Sequence, residues 1–131
     1  MKASDIMRRP VVAATPTATA RDVAIQLLMG EFSGVPIAQS DGSVVGIVTE
    51  LDLIRAVLRA GKALETTLAQ DIMTRDVTTV DAETPMEDVM RALEEKNIIR
   101  VPVTDQGKLV GVISRSDVLR AMIEPTFLRF D

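Results

Sequence analysis

The sequence contains neither cysteine nor histidine. Thiolate nucleophiles, imidazole bases and nearly every transition-metal site are excluded with them, because those chemistries need sulfur or imidazole donors. No disulfide dictates an oxidising compartment, which fits a reducing cytoplasm. Tryptophan and tyrosine are absent as well, and only three phenylalanines are present. A flat ring bound here would therefore lie between Val, Ile and Met side chains rather than on aromatic ones. Long apolar runs are missing: after Lys2, Arg8 and Arg9, the stretch from Val11 to Ala14 is too short for a signal peptide or a membrane span. There is no basic block either. Residues 1–65 carry seven basic and seven acidic side chains, and residues 66–131 carry eight and twelve, so the net charge of −4 lies in the second half. A nucleic-acid backbone finds little to hold. These absences predict a cytoplasmic protein with neither a membrane nor a nucleic acid as partner, in which a phosphate site would come from a few local charges.

What is present is enough for a core. Of 131 residues, 47% are apolar and 26% charged, which suits one domain or two small units sharing a core. Internal repetition then organises the chain. Asp5-Ile6-Met7 returns as Asp71-Ile72-Met73, Asp22-Val23 as Asp88-Val89, and Val35-Pro36-Ile37 as Val101-Pro102-Val103, each 66 residues later. After one residue is lost in a turn, Gly46-Ile47-Val48-Thr49-Glu50-Leu51-Asp52 returns as Gly111-Val112-Ile113-Ser114-Arg115-Ser116-Asp117, 65 residues later. The spacing predicts a duplicated unit: residues 1–61, a linker over 62–69 that follows the helix stop Gly61, and residues 70–131 with a tail.

Each unit reads β-α-β-β-α, an α/β (α+β) architecture of two small sheets packed with helices. Each opens on a short turn around Asp-Ile-Met, followed by β-rich segments at Val11–Ala14 and Val77–Val80. Thr84-Pro85-Met86-Glu87 predicts a helix with Thr84 as N-cap, Pro85 at N1 and Glu87 completing a capping box. Val89, Met90, Leu93 and Ile98 then face inward until Asn97 turns the chain. Thr19 and Asp22 take the same part in the first unit, with Val23, Leu27 and Leu28 inward and Gly30 near the end. Hairpins follow, turning at Ser40–Ser43 and Asp105–Lys108. Pro36 and Pro102 remove a ladder donor, placing their strands at an edge or beside an opening. The closing helices carry more apolar surface than one stripe needs: Leu51, Ile54 and Leu58 with Leu53 and Val57, then Val118, Met122, Leu119 and Ile123. Their second face predicts a homodimer, to which Phe127, Leu128 and Phe130 of the tail could add.

The seven-residue phrase has two readings. Thr49-Glu50-Leu51-Asp52 and Ser114-Arg115-Ser116-Asp117 each suit a capping box, in which the hydroxyl caps N3 and the carboxylate returns to the N-cap amide. Yet the phrase recurs at the same place in both units, and its Gly leaves strand backbone uncovered for something flat to approach. The direction of the Asp separates a helix start from a ligand clamp.

The paired D-I-M, V-P-[IV] and G-[IV]-[IV]-[ST]-x-x-D landmarks resemble a tandem cystathionine β-synthase (CBS) domain module, over essentially the whole chain. The resemblance implies two pseudo-twofold-related repeats and adenosine ligands (AMP, ADP, ATP or S-adenosylmethionine) in clefts between them. It implies that Asp52 and Asp117 hold ribose hydroxyls, while Thr49 and Ser114, at helix N-termini, approach phosphate. The adenine slots would be Val77, Thr78, Val101 and Pro102 for the Asp52 cleft, and Val12, Ala13, Val35 and Pro36 for the Asp117 cleft. Arg115 beside Ser114 predicts that the Asp117 cleft prefers phosphorylated adenosine. At the other cleft, Arg100 partly offsets Glu50.

Three functions compete on these residues. A non-catalytic sensor would bind an adenosine ligand and signal to a regulated partner protein of unknown identity. An interaction module would leave its clefts empty and use its helices. An enzyme would need a carboxylate dyad or a lysine base, and Lys2, Lys62, Lys96 and Lys108 all lie away from the phrases. The sensor is the expectation. No cofactor is required and no metal is expected; carboxylates abound for an Mg²⁺ accompanying ATP, but no ligand spacing argues for one.

Overall fold

The computed structural model describes residues 1–30 and 34–123. The expected tail contact by Phe127, Leu128 and Phe130 lies outside the described residues. In chain order the elements are α1 (Ala3–Ile6), α2 (Ala20–Gly30), β1 (Gly34–Ala38), β2 (Val44–Thr49), α3 (Glu50–Leu58), α4 (Ala69–Ile72), β3 (Val80–Asp81), α5 (Met86–Glu95), β4 (Arg100–Asp105), β5 (Lys108–Ser114) and α6 (Arg115–Met122). The mixed α/β architecture of small sheets and helices is thus present. The β-rich segments at 11–14 and 77–80 lie mostly outside any ladder. Ala14 makes a single bridge to Ile37, and Val80–Asp81 pairs in parallel with Val103–Thr104.

Both hairpins form. β1 pairs antiparallel with β2, and β4 with β5, each with an irregularity just after Ile37 or Val103. Their turns take positive φ, at Gly42 (90°) in the first and at Gln106 (52°) and Gly107 (79°) in the second. Pro36 lies opposite Ile47, and Pro102 opposite Val112. β3 meets β4 only at Val103 and Thr104, so the missing Pro102 donor costs that ladder nothing.

Helix signals held with one shift of register. Thr19 caps α2, accepting from the Asp22 amide at 3.1 Å. In the second unit the equivalent position is Pro85, which is itself the N-cap and makes no side-chain cap bond. Thr84 lies one residue too early to cap. Glu87 instead pairs with Arg91 at 2.6 Å, one turn along the helix. Asn97 takes a φ of 50° to end the second helix unit, as its small polar side chain allows. Val23, Leu27, Val89 and Leu93 are buried, but Leu28 is 78% exposed.

The two units exchange their first turns. α1 packs with Ala3, Ile6 and Met7 against Val80, Val89, Val101, Ile113 and Val118 of the second unit. α4 packs with Ala69, Ile72 and Met73 against Val23, Val35, Val48 and Leu53 of the first. The exchange is reciprocal, bond for bond. Ala3 N donates to Thr84 O and Ala69 N to Ala18 O, both at 2.8 Å. Arg8 bridges Val112, and Thr74 bridges Ile47. Such pairs are the signature of an approximate twofold axis. They also make each core incomplete without the other unit.

This exchange explains the glycine of the repeated phrase. A Cβ on Gly46 would collide with the Met73 thioether, and one on Gly111 with that of Met7. The uncovered strand backbone is therefore occupied from within the chain, by the Met of the opposite Asp-Ile-Met, rather than kept for a flat ligand. Methionine suits the place because its flexible thioether fills irregular gaps.

Candidate functional site

Each closing helix starts directly from a strand, and its first turn is a capping box. The Thr49 hydroxyl accepts from the Asp52 amide at 3.2 Å, and the Thr49 amide donates to Asp52 Oδ2 at 2.9 Å. Ser114 and Asp117 repeat this at 3.2 and 2.8 Å. The helix-start reading therefore holds in both copies, but it uses only Oδ2 for the amide. Oδ1 of each Asp reaches into the other unit. Thr74 donates its hydroxyl to Asp52 Oδ1 at 3.1 Å and also lies 3.3 Å from Oδ2. Arg8 donates from Nε to Asp117 Oδ1 at 2.6 Å, and Arg120 donates to the same oxygen at 2.9 Å. One carboxylate thus serves as helix cap and cross-unit contact at once.

Thr49 lines a cavity of about 530 Å³ with Glu50, Thr74, Asp76, Val77, Thr78, Arg100 and Pro102; Gly34, Ile47 and Ile98 add apolar wall. That volume is in the range of small-molecule sites. Four of the residues expected for this cleft, Thr49, Val77, Thr78 and Pro102, are brought together here; Asp52 is not part of the wall and stands behind Thr49 and Thr74, to which it is bonded. Val101 is fully buried in the core, since alternate residues of a strand face opposite sides.

The second cavity, about 400 Å³, is lined by Arg8, Arg9, Pro10, Val11, Val12, Gly30, Gly34, Pro36, Arg100 and Val112. It gathers Val12 and Pro36 of the expected set. Val35 is fully buried for the same reason as Val101, and Ala13 is exposed beside the cavity wall rather than part of it. Asp117 lies beneath Arg8 and is only 4% exposed, and Ser114 is engaged in the cap.

Arg115 is not where the sequence suggested. It occupies the first position of α6, about 200° around the helix from Asp117. Its guanidinium donates to the Ile98 carbonyl at 2.9 Å and to Asn97 at 3.2 Å. It lines a separate groove between α5 and α6 with Met90, Leu93 and Val118. The Asp117 cleft is nonetheless the more cationic one, through Arg8, Arg9 and Arg100. Arg100 and its counterpart Gly34 border both cavities.

Thr74 and Arg8 were not singled out from the sequence. The signal that finds them is the repeat itself: each stands directly after Asp-Ile-Met, 66 residues apart. The difference has an electrostatic consequence. Burial raises the proton affinity of Asp117, but bonds from the Ser114 amide, Arg8, the Ser114 hydroxyl and Arg120 together hold its carboxyl below the usual carboxylate range. Among the described residues no group of three metal-binding side chains comes together, and no helix is long and apolar enough to cross a membrane.

Comparison with known proteins places this geometry. An uncharacterised protein of Methanopyrus kandleri, MK0525, is 32% identical over 122 residues, which cover 92% of this chain and 61% of that protein. The chain spans still less, 41% and 22%, of two relatives from Methanocaldococcus jannaschii. Among solved structures, the CBS domain pair of protein MJ0100 in complex with 5′-methylthioadenosine and S-adenosyl-L-methionine superimposes with a TM-score of 0.80. It is 28% identical, covering 93% of this chain and 95% of the other. CBSX2 in complex with AMP gives a TM-score of 0.81 at 28% identity, covering 92% and 95%. The model of the CBS domain matches this chain twice, at residues 3–59 and 69–124. The chain belongs to the CBS domain family, as a tandem pair.

Proposed function

We propose that the chain is a non-catalytic regulatory module that binds an adenosine-containing ligand between its repeats and signals its presence to a partner protein. The observation that carries this reading is the Asp52 corner. A half-buried carboxylate caps α3 with one oxygen and, among the described residues, meets only the neutral Thr74 hydroxyl with the other, while its partners Thr49 and Thr74 line a mainly apolar cavity of about 530 Å³. A carboxylate suits a ribose because it accepts from two adjacent hydroxyls, and bonds to a charged acceptor are the stronger ones. Val77, Thr78, Pro102 and Ile47 form the slot for the ring. The N-terminus of α3 at Thr49 and the Arg100 side chain, which line the same cavity, would take a phosphate or another polar extension. Adenosine ligands in two similar CBS pairs support the ligand class.

Occupation of the cleft would tie Asp52 and Thr49 of one repeat to Val77 and Pro102 of the other. It can alter a partner only so far as the ligand favours one arrangement of the repeats over another. The exposed apolar faces of α3 (Leu51, Ile54, Val57) and α6 (Leu119, Met122) support a homodimer as the signalling unit, which light scattering on the purified chain would reveal as twice the monomer mass.

Thermal unfolding with AMP, ADP, ATP, S-adenosylmethionine and 5′-methylthioadenosine tests the proposal, because a ligand of the native state raises the midpoint. At least one of the five should do so, without being turned over. If none does, the reading as an interaction module with empty clefts replaces it.

A further inference from the structure

We infer that Arg8 closes the Asp117 ribose clamp, so that this chain binds one adenosine ligand, at Asp52, although it carries two complete [ST]-x-x-D phrases. The inference rests on the proposed adenosine reading and adds a specificity-determining position to it. The two corners share their strand, cap and backbone bridge; the position directly after Asp-Ile-Met distinguishes them. There the second repeat supplies Thr74, whose hydroxyl reaches Asp52. The first repeat supplies Arg8, whose guanidinium reaches Asp117 at 2.6 Å.

A ribose diol needs an acceptor that its two hydroxyls can share. Asp52 has one, since Thr74 is neutral, rotates freely about its C–O bond and can turn to the ligand when displaced. Asp117 does not. Its Oδ2 holds the Ser114 amide, and its Oδ1 holds both Arg8 and Arg120. A ligand would have to displace two guanidinium ion pairs in exchange for bonds from neutral hydroxyls, which lack the attraction between opposite charges. Arg120 alone does not account for the difference. Its counterpart Arg55 stands three residues after Asp52 in the same way, yet among the described residues it makes no bond to Asp52. Burial follows the same line: Asp117 is 4% exposed, whereas Asp52 is half-buried.

The position can be exchanged between repeats. Calorimetric titration of the full chain, with whichever of the five adenosine compounds binds the parent protein, should give one equivalent per chain. Arg8→Thr should give two, and Thr74→Arg should give none. Arg8→Thr combined with Thr74→Arg should return to one, with binding now lost on Asp117→Ala instead of Asp52→Ala. Arg8→Ala, which keeps the backbone bridge to Val112 and adds no new side chain, should also give two, and unfolding midpoints show that each variant is folded. Two equivalents in the parent protein, or one in both Arg8→Thr and Arg8→Ala, would overturn the inference while leaving the adenosine reading intact. No binding of any compound to the parent protein would overturn both.

Discussion

The Asp52 and Asp117 corners are built from equivalent residues to an unusual depth. Both begin at a Gly that admits a Met from the other repeat, both pass through a β-branched pair, and both end in a capping box. Both Asp side chains use Oδ2 for their own helix and Oδ1 for the other repeat. At Oδ1 they part: one meets a hydroxyl of the other repeat, the other a guanidinium of the other repeat and a second from its own helix. The glycine, the cap and the exchanged Met are thus equivalent in the two copies, whereas the cross-repeat partner of the Asp differs, Thr74 in one and Arg8 in the other. A motif that is intact in sequence can be open in one copy and closed in the other, because the deciding side chain comes from 109 residues away.

The largest effect that sharpens this comparison comes from the ligand side. A ribose hydroxyl bonded to Asp52 contributes about 1.5–3 kcal/mol, so removing it should weaken binding about 10- to 150-fold. Deoxyadenosine analogues titrated against the parent protein would show this. A change below twofold would mean that the carboxylate does not hold the sugar.

The shared part of the two corners predicts equal losses. Gly46→Val and Gly111→Val each force a Met thioether out of its place, with an overpacking cost of about 1–3 kcal/mol. Denaturant unfolding should find both destabilised to a similar extent. A large inequality would break the equivalence of the two exchanged turns.

Removal of the caps separates folding from binding. Thr49→Ala and Ser114→Ala each leave an orphan amide at a helix start, worth about 1 kcal/mol. Both should lower stability alike, whereas only Thr49→Ala should also weaken ligand binding. Equal binding losses would restore the symmetry that the sequence suggested.

The smallest effect is in acid. Asp117 titrates below its unfolded value. Its bonds therefore stabilise the protein above about pH 4, the unfolded value, and that contribution fades as pH falls through the folded value. Arg8 is more than half exposed, so its share is under about 1 kcal/mol. The stability gap between the parent protein and Arg8→Ala should be present at neutral pH and shrink below about pH 4. A gap that persists in acid would place the effect of Arg8 elsewhere than on the Asp117 carboxylate.

The repeat, the hairpins and both closing capping boxes were legible in the sequence, because turn chemistry and periodicity are local. Thr84 differs for a local reason too, since Pro85 is the N-cap and the helix starts at Met86, one position later than the Thr-Pro-x-Glu pattern implies. The role of Gly46 and Gly111 was not legible. Their partners Met73 and Met7 come from the opposite repeat, and no spacing along one unit reveals an exchanged first turn. Arg115 misled because adjacency in sequence is not adjacency on a helix: two positions from Asp117, it points toward Asn97. Arg8 escaped notice for the converse reason, being distant in sequence and in contact through space. Val35 and Val101 were placed in the slots beside their prolines, yet the alternation of the strand sends them into the core.

The most direct measurement is calorimetric titration of Asp52→Ala and Asp117→Ala side by side, using the adenosine compound that stabilises the parent protein. With an open clamp at Asp52 and a closed one at Asp117, Asp52→Ala should lose binding by about 10-fold or more, on the scale of one bond to a charged acceptor. Asp117→Ala should keep a site of parental affinity at Asp52. Equal losses in the two variants, or a loss in Asp117→Ala alone, would contradict it.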